Sequence, residues 1–93
     1  MASYLLETYA AGLGAEDVAR AATRAREAAA TLTRGGMPVR HVRSYLIPAD
    51  EMFLHFFEAP SAEAVGQAAT IAELEVERVV ETIGNPTPPR RKQ

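Results

Sequence analysis

The stretch Phe53-Leu54-His55-Phe56-Phe57-Glu58-Ala59-Pro60-Ser61-Ala62-Glu63-Ala64-Val65 constrains the fold more than any other part of the chain. Strand-forming phenylalanines run into Ala59-Pro60, and a proline cannot continue a hydrogen-bonded ladder. Ser61 then stands where a helix N-cap belongs, and Glu63 falls in the first turn, where the helix dipole favours a carboxylate. The segment therefore reads as a buried strand, a stop and a helix start. It also holds His55, one of only two histidines in the chain.

The 93 residues suffice for one domain. A domain of this size buries only about 60–65% of its chain surface and is marginal alone. The chain has no cysteine, which removes disulfides, thiolate nucleophiles and cysteine-based zinc sites. Packing must supply the stability, and association with a second copy is the obvious supplement. No apolar run reaches the roughly 18–20 residues of a membrane span, and Ser3-Tyr4-Leu5-Leu6-Glu7 lacks the basic start of a signal peptide. The expectation is a cytoplasmic protein without a membrane partner. Of its 10 basic residues, Arg90, Arg91 and Lys92 lie at the end, which leaves the body acidic. A nucleic-acid partner would need a basic patch on the folded part. Abundant alanine, and arginine in place of lysine, suggest a GC-rich bacterial genome.

Residues 3–9 read as a first strand, with Tyr4, Leu5, Leu6 and Tyr9 as β-formers, broken by Gly12 and Gly14. From Ala15 the pattern turns helical: Val18, Ala21, Ala22, Ala25, Ala29 and Leu32 recur at helical steps, opposite Glu16, Arg20, Arg24 and Glu27. Gly35-Gly36 ends that helix. Val39 to Ile47 and Met52 to Glu58 read as strands joined by Pro48-Ala49-Asp50. A second helix follows from Ser61 to Ala72, with Val65, Ala68, Ala69 and Ala72 inward, and then a last strand from Glu77 to Ile83. Residues 1–84 form the expected domain. Residues 85–93, rich in proline and arginine, read as a flexible tail.

The order β-α-β-β-α-β is the split βαβ, or ferredoxin-like, arrangement. It predicts an α+β fold: a four-stranded antiparallel sheet with both helices on one face. The aromatic residues Tyr4, Tyr9, Tyr45, Phe53, Phe56 and Phe57 all lie in the first three strands. Alternation sends them to both faces of the sheet. Two helices cover one face, so a second copy of the chain is expected on the other, making a homodimeric α+β barrel. That interface is expected to include several of Tyr45, Phe53 and Phe57.

The length of the turn at Pro48 decides which residues share a face. A three-residue turn sets Tyr45 opposite Phe53 and Arg43 opposite His55. One face then holds His41, Arg43, Tyr45, Phe53, His55 and Phe57. The other holds Val42, Ser44, Leu46, Leu54, Phe56 and Glu58, and is expected under the helices as the more aliphatic set. A four-residue turn shifts the register by one and separates the histidines. We take the three-residue turn as the expectation.

On that register His41 and His55 are diagonal neighbours, with Glu7 as a third donor, and together they form a candidate site for a divalent transition metal. A histidine among phenylalanines is more often a hydrogen-bonded core side chain. Arg43, Tyr45, Phe53, Phe57 and Glu58 form a candidate pocket, with Arg43 as an anion clamp. Arg43 facing His55, and burial among Phe53 and Phe57, both predict a His55 pKa below about 6.5. Gly-rich phosphate loops, HExxH, GxSxG and CxxC are all missing from the sequence.

The frame Tyr4-Leu5-Leu6-Glu7, Val39 with Ser44-Tyr45, Phe57 to Val65 and Arg78-Val79-Val80-Glu81 resembles the small ferredoxin-like nickel-binding proteins of actinobacteria. The resemblance runs from residue 3 to about residue 82, with the Glu58-Ala59-Pro60-Ser61 junction as its most specific part. It implies a dimeric α+β barrel and nickel binding. Such relatives often carry ligands at the positions of Arg43, His55 and Ala68; here only His55 is one, and Glu73 stands in place of a glycine. Dimeric α+β barrels also serve as small monooxygenases and cyclases acting on aromatic or polyketide-like molecules. For that alternative the candidates are Arg43, His55, Tyr45 and Glu58. A regulatory dimer without a small ligand is a third reading.

Overall fold

The computed structural model describes residues 1–84. Its elements follow the expected order: β1 (Ala2–Tyr9), α1 (Ala15–Arg34), β2 (Arg40–Ile47), β3 (Met52–Ala59), α2 (Ala62–Ile71) and β4 (Val76–Thr82). The strands form one antiparallel sheet in the order β2-β3-β1-β4. Each βαβ crossover skips a strand, so both helices come to lie on the same face. The expected tail at 85–93 lies outside the described residues.

Local chemistry sets the ends of the helices. Ser61 caps α2 as expected: its Oγ accepts from the Ala64 amide at 3.2 Å, a contact of a kind contributing about 1 kcal/mol. Gly14 precedes α1, and its amide donates to the Asp17 carboxylate at 2.8 Å. That hydrogen bond, followed by the one from Arg20, holds Asp17 below the usual carboxylate range. Both helices end in the same pair of hydrogen bonds. Met37 N donates to Leu32 O at 2.9 Å, and Leu74 N donates to Ala69 O at 2.9 Å. The motif needs a left-handed residue one position past the cap. Gly36 fills it at φ 99°, and Glu73 fills it at φ 59°.

The core lies between the sheet and the helices. Ala21, Ala25, Ala28 and Ala29 face inward from α1, and Ala64, Val65, Ala68 and Ala69 from α2. Alanine lets the helices approach the sheet closely, so the bulk comes from the strands. Tyr4 and Leu6 of β1, and Phe53 and Phe57 of β3, are the large side chains that meet them. Arg24 ties the two helices together by donating from Nε to the carbonyl of Ala72 at 2.9 Å. Among the described residues no helix is long and apolar enough to cross a membrane.

The turn at Pro48 is longer than the sequence reading expected. Pro48–Asp50 form a single 3-10 turn, and Glu51 closes it in the left-handed region at φ 52°. The loop therefore spans four residues, and Ile47 pairs with Met52 instead of Glu51. The shift puts Tyr45 opposite Leu54 and Ser44 opposite His55. Phe53, His55 and Phe57 consequently face the helices, as their burial shows. Arg43 and Tyr45 lie on the open face. The expected grouping of these residues is corrected, and so is the expected place of Phe53 and Phe57 in a sheet-to-sheet interface.

Candidate functional site: a serine-bridged histidine pair

A four-residue turn alone would send the two histidines to opposite faces. A β-bulge reunites them. His41 pairs with Phe57 while Arg43 pairs with Phe56, so Val42 is the extra residue of β2. A bulge reverses the alternation of side chains beyond it. His41 thus returns to the helix side, three residues from Ser44 and on the same face.

Ser44 joins the pair. Its Oγ lies 2.8 Å from His41 Nε2 and 2.6 Å from His55 Nδ1. His55 is completely buried, and its Nε2 has no hydrogen-bond partner among the described residues. Its ring lies 5.5 Å from that of Phe53, and the His41 ring meets Phe57 edge-on at 5.5 Å. A serine hydroxyl carries one hydrogen, so it donates to one imidazole and accepts from the other. A buried N–H without a partner is rarer than a buried acceptor without one. We therefore assign the hydrogen on His55 to Nδ1, donating to Ser44 Oγ, which in turn donates to His41 Nε2. This leaves the Nε2 lone pair of His55 bare inside the core.

The electrostatics favour neutral rings. Burial, then the neighbouring His41, then Arg24 push the His55 pKa down to about 4. Burial and Arg26 lower His41 as well. The expected direction for His55 holds and burial, one of its two expected causes, leads; the other, Arg43, does not act. Arg43 sits across the sheet, and the cations that act are on α1.

The other expected site residues divide between the two faces. Glu7 pairs with Leu54 in the sheet, and its carboxylate accepts from Arg78 Nε at 2.8 Å on the open face. It lies across the sheet from the histidines. Arg43, Tyr45 and Glu58 line a cleft on that open face. Phe57 borders the cleft yet is only 1% exposed, and Phe53 belongs to the core. Arg43, Tyr45 and Glu58 therefore do not converge with His55. Ser44, part of the family frame, is not among the site residues expected from the sequence. The signal for it was Pro48 opening a 3-10 turn, which adds Glu51 to the loop and brings Ser44 opposite His55.

The fold and the site define a small ferredoxin-like protein with an imidazole pair beneath its helices. The chain belongs to the SCO4226-like family, described as nickel responsive protein SCO4226-like, whose model matches residues 4–82. The crystal structure of SCO4226 from Streptomyces coelicolor A3(2) superposes with a TM-score of 0.74. The match covers 91% of this chain and 100% of that one at 17% identity, which establishes the shared fold. No curated protein matches the sequence.

Proposed function

We propose that the protein is a small homodimer that responds to a borderline divalent ion, nickel foremost, through His55 and His41. The observation that carries this reading is the bare His55 Nε2 in a neutral ring at the pH of the cell. Neutral imidazole suits nickel, copper and zinc, and geometry chooses among them. The donor chemistry fits the nickel-responsive family name. The donor count limits the site: among the described residues no group of three or more His, Cys, Asp or Glu side chains gathers. An ion held at His55 Nε2 therefore keeps open coordination positions, with His41 acting beside it through Ser44. Because His55 is completely buried, binding also requires the segment above it to open.

The homodimer rests on the face left uncovered by the helices. Tyr45 and Val42 are 47% and 41% exposed there, beside the half-buried Leu5, Leu54 and Phe56. A second copy laid on this face would bury them and complete a barrel.

Calorimetric titration of nickel into protein purified without a histidine tag tests the metal reading. The wild type binds, and His55→Ala abolishes binding while circular dichroism shows the fold intact. His41→Ala, at the half-buried end, weakens binding without loss of fold. No binding by the wild type, or equal binding by His55→Ala, overturns the reading. Light scattering at micromolar concentration tests the homodimer, which a monomer mass refutes.

A further inference from the structure

A cleft of about 480 Å³ lies on the open face of the sheet, and the imidazole pair does not use it. Small-molecule sites commonly measure roughly 300–1,000 Å³. The floor is aromatic: the rings of Tyr45 and Phe56 meet edge to face at 6.1 Å and 86°. Arg43 stands at the wall. Its Nη1 donates to the Tyr45 hydroxyl at 2.9 Å, and its guanidinium carbon lies 5.9 Å from the ring centre. These contacts orient the guanidinium fork and, among the described residues, leave its other donors unengaged. The carboxylate that lines the cleft, Glu58, accepts from Arg40 Nε at 2.9 Å. Among the described residues Arg43 pairs with no carboxylate.

We propose that this cleft binds a flat aromatic carboxylate, with the ring against Phe56 and Tyr45 and the carboxylate on the Arg43 fork. A guanidinium matches a carboxylate through two parallel hydrogen bonds. One such cation, with the Glu58 charge nearby, suits a monoanion better than a phosphate dianion. The aromatic floor supplies apolar contact, and the arginine supplies orientation. A second copy on this face turns the cleft into a closed chamber. That enclosure rests on the homodimer reading, whereas recognition by Arg43 does not.

The test titrates 2-naphthoate into the full chain and follows amide resonances by NMR. Saturable shifts are expected at Arg43, Tyr45 and Phe56. Arg43→Gln weakens binding about tenfold or more, and so does replacing the probe with 2-naphthylmethanol, which lacks the charge. Inorganic phosphate leaves the same resonances unmoved. Shifts that fail to saturate by about 10 mM, or equal affinity in Arg43→Gln, overturn the proposal. Sedimentation of the same samples separates the two readings. A monomer that binds 2-naphthoate keeps the site and refutes the homodimer. A dimer that does not bind refutes the site alone.

Discussion

Phe56 and Phe57 are chemically identical neighbours on one strand, and they live in different solvents. Phe57 is 1% exposed beneath two helices of packed alanine. Phe56 lies half-buried on the open face beside Tyr45. The same contrast separates the polar groups of the two faces. Beneath the helices, Ser44 joins the two imidazoles by short contacts, and His55 is held neutral. On the open face, acidic and basic side chains pair across strands, as Arg40 does with Glu58 and Arg78 with Glu7. One sheet thus offers neutral nitrogen donors on one side and oriented cations on the other. We assign the proposed divalent ion to the first and the proposed carboxylate ligand to the second.

The largest effect expected from this comparison is in stability. Phe57→Ala removes a ring from a closed core and leaves a cavity, which costs about 3–5 kcal/mol. Phe56→Ala removes a ring already half in water and costs roughly 1 kcal/mol in a monomer. Urea denaturation of both variants measures the difference. In a homodimer the cost of Phe56→Ala grows, and its midpoint depends on protein concentration. Equal, concentration-independent costs would mean that the two faces are buried alike.

The next effect belongs to His55. Its imidazole takes a proton near pH 6.5 in the unfolded chain and only at about 4 in the folded protein. Between those values the unfolded state binds more protons, so stability falls as pH falls through the window. The loss reaches about 3 kcal/mol near pH 4 and then levels off, because both states are protonated below it. His41, also lowered, adds to the slope with the same sign. Unfolding curves between pH 7 and pH 4 should show the drop, and His55→Leu should remove most of it. An unchanged slope in His55→Leu would place the acid-sensitive group elsewhere.

The sequence showed the fold more clearly than the site, and the reason is local. Element order depends on signals within a few residues: Ser61 at a cap, Gly35-Gly36 at a helix end, alanines at helical steps. The sheet faces depend on the loop from Pro48 to Glu51 and on the bulge at Val42, each worth one residue of register. Neither residue advertises its role. Glu51 takes a left-handed conformation that glycine would have announced, and Val42 is an ordinary strand residue. The two errors of register partly cancel. The loop moves His55 to the helix side, opposite Ser44, and the bulge brings His41 over to the same side. The expected meeting of the histidines therefore occurs, but through a serine and on the opposite face from the one expected.

The smallest effect is expected at Glu7, and it tests the assignment of faces directly. The carboxylate lies across the sheet from His55 and accepts from Arg78 Nε at 2.8 Å. The arginine side chain is 62% exposed and the glutamate 18%. Ion pairs reaching into water contribute about 1 kcal/mol or less. Glu7→Gln keeps the shape and one acceptor while removing the charge, so its stability cost should stay below about 1 kcal/mol and shrink further in high salt. Nickel affinity, measured in the same preparation, should not change, because the amide replaces a group that cannot reach the imidazoles through the sheet. A loss of nickel affinity as large as that of His55→Ala would require Glu7 to share a face with His55. The pairing of Glu7 with Leu54 and of Leu6 with His55 would then be wrong by one residue, and the contrast between the two faces would fall with it.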